Sequence, residues 1–189
     1  MIRVAVLGDI GSGKSYVAKN FGYPVFNADE EVSKLYKKNV NIFNKLKKSL
    51  SNYIKAFPVD KNELSKSILA NKSNLKKIVN IIHPEIKKKL NVFIKKNKKK
   101  KIIVLDIPLL LENKIYKKKD ILIFVKATKK EINKRLKKRK NFNAKLHKKL
   151  SNLQLSIAYK KKKSQFVINN NFTNNSVKKS VKKILNEIL

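Results

Sequence analysis

Residues 8–15 read Gly8-Asp9-Ile10-Gly11-Ser12-Gly13-Lys14-Ser15 and follow directly on the apolar run Val4-Ala5-Val6-Leu7. No other stretch restricts the chain so tightly. The segment satisfies G-x-x-x-x-G-K-[ST] at every fixed position, a pattern that works only where a strand leads in and a helix leads out. The strand gives a rigid launch point. The helix entered at Lys14 turns unpaired N–H groups and the positive end of its dipole toward an anion. Gly8, Gly11 and Gly13 keep the turn bare, so that backbone amides can close around a phosphate. The motif therefore assigns Gly11, Ser12, Gly13, Lys14, Ser15 and Tyr16 to a nucleotide, with Lys14 on the β/γ oxygens and the Ser15 hydroxyl on Mg²⁺. It specifies a nucleotide and leaves the reaction open.

The rest of the chain supplies the strands and helices such a loop needs. Ser15 to Phe21 reads as the first helix, ended by Gly22-Tyr23-Pro24. Val25-Phe26 is a short second strand, and Asp29, Glu30 and Glu31 open a helix toward Lys38, where their charges favour its N-terminus. From Val40 to Asn97 the pattern is helical, with breaks expected near Phe57-Pro58 and at Pro84. Within it, Leu75, Ile78, Val79 and Ile82 and then Ile86, Leu90, Phe93 and Ile94 form buried helical stripes. Ile102–Leu105 and Ile121–Val125 are uninterrupted apolar runs that suit parallel strands buried on both faces. Lys129–Lys140 reads as a helix, Asn141–Asn143 as a polar break, and Leu146, Leu150, Leu153 and Ile157 as one face of a further helix. Phe166–Ile168 is a fifth strand, Asn169–Asn175 a polar loop, and Val177, Val181, Ile184, Leu185 and Ile188 mark the closing helix.

Strands alternating with helices behind a phosphate loop predict an α/β, P-loop kinase-like three-layer fold with a five-stranded parallel sheet. A single domain is expected, with its core at about 1–36, 100–128 and 164–189. Residues 37–99 would be a helical substrate-binding insertion and residues 129–163 a helical lid.

Composition narrows the function classes. The chain has 189 residues and no cysteine, which excludes disulfides and thiolate catalysis. His83 and His147 lack a ligand-rich neighbourhood, so a metal is expected to arrive with the nucleotide. No signal peptide and no membrane-length apolar run is evident, and a soluble cytoplasmic protein is the expectation. The formal net charge of +36 would draw in anions of any kind. Lysines such as Lys98–Lys101 and Lys160–Lys163 are scattered over nearly every helix with few aromatics, which fits a compositional habit better than a nucleic-acid surface. Arginines are scarcer and more telling. Arg3 opens the first strand in a structural or solvent-facing role. Arg135 and Arg139 are four apart, so one helix would present both as a bidentate phosphate clamp or, on the other reading, as an ordinary solvated basic face. Asp106 ends an apolar strand as a Walker-B acid does, holding the magnesium shell or the Ser15 hydroxyl; alternatively it caps the turn before Pro108.

Taken in order, Gly8 to Ser15, Val25-Phe26-Asn27-Ala28-Asp29, Ile81-Ile82-His83-Pro84, Asp106-Ile107-Pro108-Leu109-Leu110-Leu111-Glu112, Arg135/Arg139, Gln154 and Val167-Ile168-Asn169-Asn170 resemble the dephospho-coenzyme A kinases over nearly the whole length. The resemblance implies transfer of the ATP γ-phosphoryl to the ribose 3′-hydroxyl of dephospho-CoA. It implies ATP with Mg²⁺ as co-substrate, no specific nucleic-acid or membrane partner, and a monomer or weak homo-oligomer. Asp29 then takes the hydroxyl proton, unless it serves only as a helix N-cap. Arg135 and Arg139 close over the phosphates, His83 either shapes the substrate-side helices or touches the substrate, and Asn170 lies where such kinases hold adenine. The chain departs from the family pattern at Asp9, Tyr16, Asn27, Gln165 and Asn169, the last three standing where Asp is common. Alternatives are another small-molecule or nucleotide P-loop kinase and, from a different class, a basic nucleic-acid-binding NTPase.

Overall fold

The structure is a computed structural model that describes residues 1–139 and 142–189, apart from the side chain of Asn174. Its centre is β1 (Ile2–Gly8), whose exit leads through the phosphate loop into α1 (Lys14–Asn20). Then come β2 (Val25–Asn27), α2 (Ala28–Lys38), α3 (Val40–Ser49), α4 (Lys61–Ala70) and α5 (Lys72–Lys96). They are followed by β3 (Ile102–Asp106), β4 (Ile121–Lys126), α6 (Lys129–Lys137), α7 (Ala144–Ser151), α8 (Ile157–Lys163), β5 (Phe166–Asn169) and α9 (Asn174–Ile188).

The five strands form one parallel sheet in the order β2-β3-β1-β4-β5. Val4 pairs with Val104 on one side and Ile121 on the other, so β1 is held from both edges. Strand order reverses at β1, and in open parallel sheets that switch point is where ligands bind. Alternation sends Val4, Val6, Ile102, Val104, Ile123, Val125 and Ile168 into a core completed by Val17 and Phe21 of α1 and by Val177, Val181 and Ile184 of α9. The intervening Ala5, Leu7, Ile103, Leu105, Leu122 and Phe124 are buried as well. Burial on both faces is why these strands read as unbroken apolar runs. Arg3 is structural: its guanidinium donates to Asp120 at 2.9 Å and both side chains are largely buried.

The chain divides into two compact units, Met1–Asn27 with Lys96–Leu189, and Ala28–Lys95. The second is helical. Leu35, Ile42, Leu46, Leu64, Ile78, Ile82 and Ile86 are buried along its helices. Glu31 of α2 pairs with Lys89 of α5 at 3.0 Å, and the Tyr36 carbonyl accepts from Val59 N–H. Burial pushes the Tyr36 phenol up to about 12.

Several sequence expectations need correction. Pro84 does not break the helix, since α5 runs through it from Lys72 to Lys96. The stripe Ile78, Ile82, Ile86, Leu90 is buried on both sides of the proline, and that packing outweighs one missing hydrogen bond. The helix expected to carry Leu146 through Ile157 is two helices, because Ser156 accepts from Tyr159 N–H and starts α8 afresh. Leu153 and Ile157, expected on its apolar face, are exposed. β5 includes Asn169, and α9 begins at Asn174, inside the expected polar loop. Expectations for Lys140 and Asn141 lie outside the described residues. No helix among the described residues is long and apolar enough to cross a membrane.

Candidate active site

The loop leaving β1 is built from positive-φ glycines, Gly8 at 149°, Gly11 at 87° and Gly13 at 92°. Each missing Cβ makes room for a particular neighbour. At Gly8 a methyl would lie 2.6 Å from Ser12 Oγ and 2.7 Å from the Val125 carbonyl. At Gly11 it would press on Ile132 and Leu136 of α6 at 3.2 Å, and at Gly13 it would collide with the Asn170 amide. The loop is thus gripped by α6 and by the segment between β5 and α9. Ile132 and Leu136 are buried in that grip.

Lys14 Nζ donates to the carbonyls of Asp9 (2.8 Å) and Gly8 (3.2 Å), so the ammonium sits within the turn. Ser12 is fully buried and its hydroxyl has no hydrogen-bond partner. Ser15 is exposed in the first turn of α1. Tyr16, expected at the nucleotide, is half-buried and packs against the sheet core. Asp9 accepts from Ile10 N–H through its carboxylate, which tightens the entry to the loop.

At the neighbouring strand ends, Asn27 and Asp106 are register partners, and Asn27 Nδ2 donates to Asp106 Oδ2 at 2.8 Å. Asp106 is 4% exposed, so a carboxylate is held at the carboxyl edge of β3 by an amide where a second carboxylate would repel it. Gln165, another position where Asp was expected, accepts from Leu122 N–H at 2.7 Å while its own N–H bonds the Leu122 carbonyl. That change preserves the acceptor and belongs to strand pairing. Asn169 is exposed at the end of β5.

Asn170 is 2% exposed, and its Nδ2 donates to the Ser12 carbonyl at 2.8 Å while its Oδ1 accepts from Phe172 N–H at 2.9 Å. Expected to face adenine, it commits its amide to bracing the phosphate loop. Arg135 and Arg139 do not share a helical face. α6 ends at Lys137 with Lys138 as its C-cap, which leaves Arg139 in the exit turn, whereas Arg135 lies 4.3 Å over the Phe172 ring. The lysine run on α8 also separates. Lys160 is 4% exposed and bonds Glu112 Oε1 at 2.8 Å and Gln154 Oε1 at 2.9 Å, while Lys161–Lys163 are exposed. Glu112, Gln154 and Lys160 line one cavity with Gly8 and Lys14. Burial pushes the Glu112 carboxyl up, but Lys160 and the Leu155 N–H outweigh it and hold the group below the ordinary value of 4.5.

The helical unit carries the other expected residues. Asp29 is exposed in the first turn of α2, two residues beyond Asn27. His83 lines a groove along α5 with Val79, Asn80, Pro84 and Lys87. Desolvation lowers its imidazole below the ordinary histidine value. Among the described residues no group of three or more His, Cys, Asp or Glu forms a metal cage.

A parallel sheet of this order with a glycine-built phosphate loop at its switch point defines a P-loop kinase. The family model for dephospho-CoA kinase matches residues 2–176. The dephospho-CoA kinase of Wolbachia pipientis is 36% identical over 190 residues, spanning 98% of this chain and 97% of that protein. The enzyme of Bartonella quintana is 32% identical over 171 residues, 88% and 87% of the two chains. Among solved structures, a Thermus thermophilus protein aligns over 100% of this chain and 98% of its own with a TM-score of 0.78 at 23% identity. Dephospho-CoA kinase from Campylobacter jejuni aligns over 98% and 96% with a TM-score of 0.64 at 25% identity. This chain belongs to the dephospho-CoA kinase family, and it is an ATP-dependent phosphotransferase of coenzyme A synthesis.

Proposed function

We propose that the chain moves the ATP γ-phosphoryl group to the ribose 3′-hydroxyl of dephospho-CoA at the loop between β1 and α1, the last step in making coenzyme A. The observation that carries this reading is the complete phosphate loop at the switch point of the sheet, in a chain whose residues 2–176 match the dephospho-CoA kinase family model. Phosphoryl transfer asks a protein for positioning and charge neutralisation more than for covalent chemistry.

In this scheme the amides of Gly11–Tyr16 hold the phosphates, Tyr16 contributing only its backbone. The Lys14 ammonium exchanges the carbonyls of Gly8 and Asp9 for β/γ oxygens, a modest rearrangement because those carbonyls flank the same turn. Arg135 and Arg139 add charge from the lid side. Asn170 fixes the loop through Ser12 and serves the base only indirectly. Asp29 orients the 3′-hydroxyl and accepts its proton. His83 and its groove belong to the acceptor side.

Ser15 and Asp106 supply the hard oxygen donors that suit Mg²⁺. With no protein cage among the described residues, the ion would come with the triphosphate and neutralise its β and γ oxygens. On this reading the chain works in the cytoplasm as a monomer or weak homo-oligomer, with ATP and dephospho-CoA as its small-molecule partners. Coupled ADP release tests the reading: it should require Mg-ATP and dephospho-CoA together. Equal release with nucleoside monophosphates, or stimulation by nucleic acid alone, would overturn it.

A further inference from the structure

Phe172 is a bulky residue in a conformation that bulky residues avoid. Its φ is 61°, in the left-handed region where a Cβ crowds the backbone. The loop around it prevents relaxation. Its own N–H is tied to Asn170 Oδ1 at 2.9 Å, and the next N–H, of Thr173, is tied to Asn171 Oδ1 at 3.1 Å. Strain of this kind persists only where its surroundings over-determine it, and it gathers at functional sites.

What the strain achieves is visible in the placement of the ring. One edge lies against Gly13, where a Cβ would stand 3.3 Å from Phe172 Cε1. The face carries the Arg135 guanidinium, 4.3 Å from the ring centroid. Arg135 belongs to α6 and is otherwise exposed, so the ring gives a flexible cation a fixed seat next to the phosphate loop. A glycine at 172 would suit the backbone better and leave Arg135 without a seat.

We propose that Phe172 is a positioning residue for phosphoryl transfer: its ring docks Arg135 beside the loop that holds the ATP phosphates. The inference rests on the reading of Arg135 as a phosphate-binding residue, and the test separates the two. Strain and function predict opposite signs for one substitution. Phe172→Gly relieves the backbone and should keep or raise the melting temperature, while kcat/KM for ATP falls about three- to tenfold, the range of a partly exposed cation–π contact. The KM for dephospho-CoA should stay within twofold. Phe172→Tyr retains the ring and should retain wild-type kcat/KM. In an Arg135→Ala background, Phe172→Gly should cost nothing further, because the two act as one unit.

Wild-type kcat/KM in Phe172→Gly, with Arg135→Lys impaired, overturns the proposal and leaves the Arg135 reading standing. Wild-type behaviour of both Phe172→Gly and Arg135→Lys overturns both. A lowered melting temperature with equal losses for both substrates, or a Tyr variant as poor as the Gly variant, shows an ordinary structural role and also overturns it. A further loss in the Arg135→Ala background shows the ring acting without the arginine, and the proposal falls.

Discussion

Asn170 offers the sharpest test of how the phosphate loop is held. Its side chain joins two segments far apart in sequence, donating to the Ser12 carbonyl at 2.8 Å and accepting from Phe172 N–H at 2.9 Å in a site that is 2% exposed. Asn170→Ala leaves a buried carbonyl and a partly buried N–H without partners. With about 1–3 kcal/mol for the buried carbonyl and about 1 kcal/mol for the N–H, which is only partly buried, the expected loss is roughly 2–4 kcal/mol. For a chain of this size that is about 5–15 °C in the thermal midpoint. Asn170→Asp separates the two bonds. The carboxylate still accepts from Phe172 but meets the Ser12 carbonyl with a like partial charge and puts a negative charge beside the triphosphate site. The aspartate variant, which buries a charge against that carbonyl, should therefore lose at least as much stability as the alanine variant and more ATP affinity. Differential scanning calorimetry and ATP titration measure the two effects. An alanine variant that melts within 1 °C of wild type (about 0.3 kcal/mol) and binds ATP normally would refute the clamp.

Further tests bear on other parts of the site. Asp29→Asn should lower kcat about 100-fold or more with ATP binding nearly intact, and unchanged turnover removes Asp29 as proton acceptor. Lys160→Met strands the half-buried Glu112 carboxylate and should cost about 2–3 kcal/mol at pH 7, much of it restored by adding Glu112→Gln; an additive double mutant would argue against the pair. Because the native Glu112 value is depressed, its contribution is full above the ordinary 4.5 and is lost as pH falls through the native value. Melting curves between pH 7 and pH 3 should accordingly show a shallower acid limb for Glu112→Gln than for wild type. Gly13→Ala should abolish tight ATP binding, since the new methyl meets the Asn170 amide in a left-handed residue; normal binding would show that the loop can yield.

The sheet was legible because its strands are buried on both faces and its loop has few substitutes for glycine. Val4–Leu7, Ile102–Leu105 and Ile121–Val125 leave little choice of element, and the phosphate loop admits little besides a helix after β1. Helix ends in the basic region were less legible. The apolar spacing of Leu146, Leu150, Leu153 and Ile157 continues in sequence across a turn that Ser156 ends, and periodicity carries no record of that cap. Arg135 and Arg139 have helical spacing, but α6 stops between them. Pro84 reads as a breaker locally, and only the buried stripe around it shows why the helix survives.

The site's supporting residues were the hardest to see. Lys160 stands in a lysine run, and nothing local separates it from Lys161–Lys163; its burial comes from contact with Glu112 and Gln154. For Asn170, sequence gives a place after β5 but cannot show that its amide reaches the Ser12 carbonyl. Phe172 carried a faint signal, an aromatic within a run of asparagines suited to turns. The departures at Asn27 and Gln165 are answered by structure as well: one amide holds Asp106, and the other completes the β4–β5 pairing.

The central claim is transfer of phosphate to one hydroxyl of one acceptor, and fragment-resolved mass spectrometry of the product from Mg-ATP and dephospho-CoA tests it most directly. The account predicts a single added phosphate on the adenosine ribose, at the 3′ position, matched by an equal amount of ADP. Phosphate on any other group, or an unmodified acceptor with a nucleoside monophosphate phosphorylated in its place, would contradict it.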